Sequence, residues 1–174
     1  MKQPDEHLES TRRRVVISFF SGLLFMAAVA VGIGLASGDW GRIGYGWFNW
    51  VIGPVFTVGG LALVIWAVYI QYTLGKGTPA PAVATQKLVT QGPYAYSRNP
   101  MTLGALVMYL GIGFWLSSGV VVTLSVVVFT ILLRFIYIHE TPELAQRFGE
   151  PYLKYRERTP FLFPRIHLFR KDGE

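Results

Sequence analysis

The sequence predicts an all-α polytopic membrane protein, with about four transmembrane helices and a C-terminal helical tail at the cytoplasmic interface. Three observations carry that expectation. Of 174 residues, 52% are hydrophobic and only 15% charged, against about 25% charged in soluble domains. The apolar residues fall into long uncharged runs. The basic residues, which give a formal charge of +6, sit at the ends of those runs. In a soluble chain such a charge would point to nucleic acid; here it points to membrane topology. The absence of cysteine excludes disulfides, thiolate metal sites and a cysteine nucleophile.

The first run, Val15 to Ser37, is uncharged. At about 1.5 Å per residue it can cross a hydrocarbon core of roughly 30 Å. It exceeds the apolar stretch of about 7–15 residues in a cleaved signal peptide, so it reads as a retained helix. The residues before it, roughly the first ten, are polar and expected to be disordered. A second run spans Trp47 to Tyr72 and carries Gly53-Pro54 near its start. Between Met101 and Ile138 only Arg134 is charged. That stretch is too long for one span, and Ser117-Ser118-Gly119 breaks it into a hairpin of Met101–Leu116 and Val120–Ile138. Glycines within the spans, such as Gly59, Gly60, Gly104 and Gly111, permit close helix packing. The whole chain, 1–174, reads as one domain: a polar terminus to residue 14, two spans over 15–74, then loop, hairpin and tail over 75–174.

Basic residues assign the orientation. Arg12, Arg13 and Arg14 precede the first span, and the loop after it holds only Arg42. The next loop holds Lys76, Lys87 and Arg98. The tail holds Arg147, Lys154, Arg156, Arg158, Arg165, Arg170 and Lys171. Alternation of basic and poor segments puts both termini in the cytoplasm, with Trp40, Trp47 and Trp50 at the outer interface.

Polar chemistry gathers on the cytoplasmic side in three segments: GKGTPAP at 75–81, GPYAYSRNP at 92–100, and the stretch from Arg134 onward. Gly92-Pro93 makes a turn. Asn99 suits an N-cap and Pro100 a first helical position. Two readings stand there. Either the pair merely starts a helix while Arg98 snorkels to headgroups, or the helix start and Arg98 together hold a carboxylate or phosphate. Arg134 lies inside the last span, where an ionisable group is functional or snorkels. His139 is an interfacial histidine before it is a base, and HETPE lacks the spacing of a zinc helix, so no metal is expected. Pro142, with Thr141 as N-cap, begins a new helix that ends at Gly149. Tyr152, Tyr155, Phe161 and Phe163 alternate with basic residues, which reads as a helix on the membrane surface with its aromatics down rather than a nucleic-acid surface.

The ordered set LVTQGPYAYSRNPMTLG, apolar hairpin, ETPELAQRFGEPYLKYRERTPFLFP resembles the membrane methyltransferase family of isoprenylcysteine carboxyl methyltransferases and phospholipid N-methyltransferases, over roughly residues 75–165. GKGTPAP resembles small bacterial members. The resemblance implies S-adenosylmethionine as methyl donor, S-adenosylhomocysteine as product, and a site on the cytoplasmic face. It implies a lipid or lipid-like acceptor, such as an isoprenylcysteine carboxylate or a phospholipid amine, and a bacterial inner-membrane location. Arg134 and Glu140 are the implied catalytic residues. Gly92, Tyr94, Arg98, Asn99, Pro100, Gly104, His139, Glu140 and Tyr152 are the implied cofactor-binding set. Thr102 and Thr141 depart from the family's usual Tyr and Glu. They keep open a second reading, a non-catalytic membrane protein that binds a lipid or metabolite on the same scaffold.

Overall fold

The structure is a computed structural model that describes residues 4–38, 40–44, 46–76 and 85–164. Its helices are α1 (Pro4–Ala36), α2 (Trp47–Thr73), α3 (Pro100–Trp115), α4 (Gly119–Phe135), α5 (Thr141–Phe148) and α6 (Glu150–Arg158). A 3-10 turn over Gly92–Ala95 precedes α3, and a π turn over Ile136–Glu140 joins α4 to α5. Three helical stretches, Leu8–Ala36, Trp47–Thr73 and Gly119–Phe148, are long and apolar enough to cross a membrane; α3 is a shorter apolar helix. The four rods run alternately up and down.

The most buried rod is α3, with α2 on one side and α1 and α4 on the other. Its contact with α2 is nearly backbone to backbone. A Cβ at Gly60 would collide with the backbone of Met108 and Gly104, and one at Gly111 with that of Thr57. Lipid tails are as apolar as leucine, so close van der Waals packing is what holds such helices together. Gly59 takes no part: nothing lies within 4 Å of a Cβ placed there. On its other face α3 offers Ala105, Met108, Tyr109 and Ile112 to a core that includes Phe129. The Tyr109 hydroxyl donates to the Leu23 carbonyl of α1 at 2.9 Å, which satisfies it inside the bundle.

The end holding the α1–α2 and α3–α4 turns is closed by a buried polar knot. Asn49 Nδ2 donates to the Ile43 and Gly44 carbonyls (3.0 and 2.9 Å) and to Ser117 Oγ at 2.8 Å. Ser118 Oγ caps α4 by accepting from the Val121 N–H at 3.3 Å. Trp40, Trp47 and Trp50 are all exposed at this end. At the opposite end, Arg12 donates to the Tyr72 carbonyl and its guanidinium lies 4.2 Å from the centre of the Tyr72 ring.

Three expectations need correction. Residues 4–10 are helical rather than disordered, because α1 runs unbroken from Pro4; extending an existing helix is cheap compared with nucleating one. Pro142 does open α5, which ends at Gly149, but Thr141 is not its N-cap. Thr141 has helical angles and no capping role, its N–H bonding the Ile136 carbonyl five residues back. The wider turn avoids the clash that Pro142 would make with the Ile138 carbonyl in a regular helix. The tail aromatics do not lie against lipid: Tyr152 is 2% exposed and only Phe163 points outward. Gly77 to Ala84, most of the GKGTPAP loop, and Arg165, Arg170 and Lys171 lie outside the described residues.

Gly60→Val should destabilise the fold by about 1–3 kcal/mol or more, as overpacking does. Thermal unfolding in detergent should show a lowered midpoint, whereas Gly59→Ala should leave it within about 1 °C, since nothing opposes the added methyl.

Candidate functional site

The segment before α3 is built as a platform. Gly92 adopts φ +61°, and the 3-10 turn behind it buries Pro93. Ser97, 1% exposed, accepts the Asn99 N–H on its Oγ at 3.2 Å. The Asn99 carbonyl accepts the Leu103 N–H and so opens α3, but its side chain does not cap the helix. Asn99 Nδ2 instead donates to the Phe161 carbonyl of the tail at 2.9 Å. The Arg98 N–H donates to the Pro160 carbonyl at 3.0 Å. The tail reaches this platform because Gly149, at φ +58°, ends α5 and lets α6 turn back.

Between platform and tail lies a small polar pocket of about 90 Å³, lined by Gln71, Tyr94, Arg98, Glu140, Tyr152 and Tyr155 among others. Tyr155 donates to the Tyr94 carbonyl at 2.7 Å, and Tyr94 to Gln71 Oε1 at 2.7 Å. Gln71 in turn donates to Thr85 Oγ1 at 3.0 Å. Burial pushes the Tyr94 hydroxyl well above the usual tyrosine range, with Tyr155 and Glu140 adding to it. Burial raises Tyr155 likewise, against the pull of Arg98. Both therefore remain hydrogen-bond donors across the physiological range. The Arg98 guanidinium lies over the Phe161 ring at 5.4 Å, and its Nη1 approaches the Tyr152 hydroxyl at 3.4 Å. Arg98 Nε is buried and has no protein partner.

A second, much larger cavity of about 950 Å³ runs from this platform into the bundle. Its walls are apolar faces of α1, α3 and α4, including Leu23, Met26, Ala105, Leu124, Val128 and Leu132. Its mouth holds Arg98, Asn99, His139, Glu140, Glu143 and Arg147. Tyr94, Arg98, Asn99 and Glu140 line both cavities, so the polar pocket and the apolar groove share one wall. The first turn of α3, through Pro100, Met101 and Thr102, borders the groove without a side-chain cap.

Of the residues singled out in the sequence, Tyr94, Arg98, Asn99, Glu140 and Tyr152 meet at the polar pocket, and Pro100 and His139 line the groove. His139 stacks on Phe135 with ring centres 4.5 Å apart. Gly92 shapes the platform without lining either cavity. Gly104 is spent on the α2–α3 contact, where a Cβ would meet Gly60 and Val64. Arg134 is exposed on the last turn of α4 and lines neither cavity. Thr141 is buried beside the pocket and Thr102 borders the groove. Sequence reasoning passed over Gln71, Glu143 and Arg147. Gln71 was the findable one, as an amide among apolar residues at the end of a span. Among the described residues no three His, Cys, Asp or Glu side chains gather to hold a metal ion.

The sequence matches the family model for phospholipid methyltransferases over residues 48–151. It is 31% identical to the cobalt-zinc-cadmium resistance protein CzcN of Cupriavidus metallidurans over 128 residues, 72% of this chain and 56% of that protein. It is 29% identical to the nickel-cobalt-cadmium resistance protein NccN of Alcaligenes xylosoxydans xylosoxydans, again over 128 residues, 72% of this chain and 57% of that one. The chain thus spans little more than half the length of these relatives. It belongs to the phospholipid methyltransferase family, a family of membrane methyltransferases.

Asn99→Ala should loosen the tail by about 1 kcal/mol, the worth of one hydrogen bond, read as faster proteolysis after residue 149. The docked tyrosines hold their protons more tightly than free ones, so tail docking should be flat from pH 6 to 9. It should weaken as pH rises past about 10, where tyrosines of an undocked tail ionise first.

Proposed function

From that family membership, we propose that the protein moves a methyl group from S-adenosylmethionine to the amine of a membrane phospholipid at the cytoplasmic face of a bacterial inner membrane, with both termini cytoplasmic. The observation that carries the reading is Arg98: a buried, unpartnered Nε on a cation set in the wall between a polar pocket and an apolar groove. A buried donor left unmatched costs roughly 1–3 kcal/mol, so a ligand that supplies an acceptor there is favoured. The residues present fit the donor molecule. Arg98 suits its carboxylate, Glu140 its amine or a ribose hydroxyl, and the hydroxyl of Tyr152 and the ring of Phe161 complete the wall. Ligand pockets usually need about 300–1,000 Å³; the groove mouth, continuous with the pocket, supplies that room.

When bound, S-adenosylmethionine supplies a methyl group on a positively charged sulfur, which keeps the C–S electron pair as the methyl leaves. The protein's part is alignment and exclusion of water. The apolar groove takes the acceptor's chain and brings its head to the shared wall. An ammonium acceptor must shed one proton to expose its lone pair. His139, held against Phe135 at the groove mouth, takes that proton. Arg134, exposed and away from both cavities, snorkels to headgroups in this reading.

Calorimetry with S-adenosylhomocysteine on the detergent-purified full chain tests the proposal. Saturable binding is expected, weakened at least tenfold by Arg98→Ala and by Glu140→Ala. No binding by folded protein would end the donor assignment, and unchanged affinity in both variants would end the assignment of these residues.

A further inference from the structure

His139, Glu143 and Arg147 line the groove but not the polar pocket, so they border the groove mouth beyond the wall that Arg98 and Glu140 share. Glu143 and Arg147 stand four residues apart on α5, about 6 Å along its axis. They make no ion pair with each other; the Arg147 guanidinium lies over the neighbouring Phe148 ring at 5.4 Å. Opposite charges one turn apart gain only about 0.2–0.5 kcal/mol by pairing, so a ligand can engage both at little cost. Here both stay accessible at the mouth of an apolar cavity.

The π turn helps to bring Arg147 there. The groove face of α4 runs through Val121, Ser125, Val128 and Leu132. At 3.6 residues per turn that face would continue through His139, Glu143 and Gln146. The extra residue in the π turn retards the phase, so Arg147 lines the groove in place of Gln146, with Glu143 still at its edge.

The charged and titratable groups at the mouth are Arg98, His139, Glu140, Glu143 and Arg147. A purely anionic head would meet Glu140 and Glu143, and a purely cationic one would leave Arg147 unmatched. A head carrying both a phosphate and an amine, a short linker apart, pairs with both. We propose that Arg147 holds the phosphate and Glu143 the amine of a zwitterionic phospholipid whose chain lies in the groove between α1 and α4. The pair selects the acceptor by its head, and the assignment rests on the lipid acceptor proposed above.

The test measures binding of phosphatidylethanolamine and phosphatidylglycerol of matched chains to the full chain in detergent, by native mass spectrometry, beside S-adenosylhomocysteine binding by calorimetry. Both residues are exposed, so their substitution should leave the fold intact. The unsubstituted protein should prefer phosphatidylethanolamine at least tenfold. Arg147→Gln and Glu143→Gln should each weaken phosphatidylethanolamine at least fivefold while S-adenosylhomocysteine affinity stays within twofold. Glu143→Gln should also narrow the preference between the two lipids, and Arg147→Lys should recover part of the loss. Equal affinity for the two lipids, or variants that bind phosphatidylethanolamine as the parent does, would overturn the head-group site. Lipid selectivity without any S-adenosylhomocysteine binding would instead remove the donor reading and leave this site standing.

Discussion

Asn99 holds the arrangement together by what its side chain does not do. At the start of α3 it could cap the helix, and it reaches across to the Phe161 carbonyl instead, while the Arg98 N–H beside it takes the Pro160 carbonyl. Those two bonds, together with the Tyr155 hydroxyl on the Tyr94 carbonyl, fasten the tail over the platform. They keep Tyr152 and Phe161 against Arg98. The helix start left uncapped borders the groove, so one side chain both shuts the polar pocket and leaves backbone donors open beside it.

The bilayer sets the rest. The glycine-backed contact of α2 with α3 draws two rods as close as backbones allow. The first rod is tied less closely, by the Tyr109 bond and the Arg12–Tyr72 contact. Space remains between it and α4, and that space is the groove. Its apolar lining and charged mouth suit the amphiphilic acceptor proposed above, with the head at the wall that holds Arg98 and Glu140.

Much of the bundle was legible because it follows from solvent. Long uncharged runs, the Ser117-Ser118-Gly119 break and the Asn99-Pro100 start each have one local cause, and the rods begin and end near those signals. Arg98, Glu140, Tyr94 and Tyr152 were legible through resemblance and motif. What stayed hidden depends on contacts distant in sequence. The Asn99 side chain reads locally as a cap, and nothing near it announces Phe161. Thr141 reads as an N-cap, because the π turn that runs α4 into α5 has no signal of its own. Gly104 and Arg134 read as site residues, yet one is used up in packing and the other faces outward. Glu143 and Arg147 look like solvated helix charges until the groove beside them is seen.

The central claim is that pocket and groove meet so that a donor in one can react with a lipid in the other. It is tested most directly by incubating membranes containing the protein with methyl-labelled S-adenosylmethionine and extracting the lipids. The account predicts label in an amine-bearing phospholipid, abolished by Arg98→Ala. Label confined to water-soluble products, or absent while the protein is folded and binds S-adenosylhomocysteine, would contradict it.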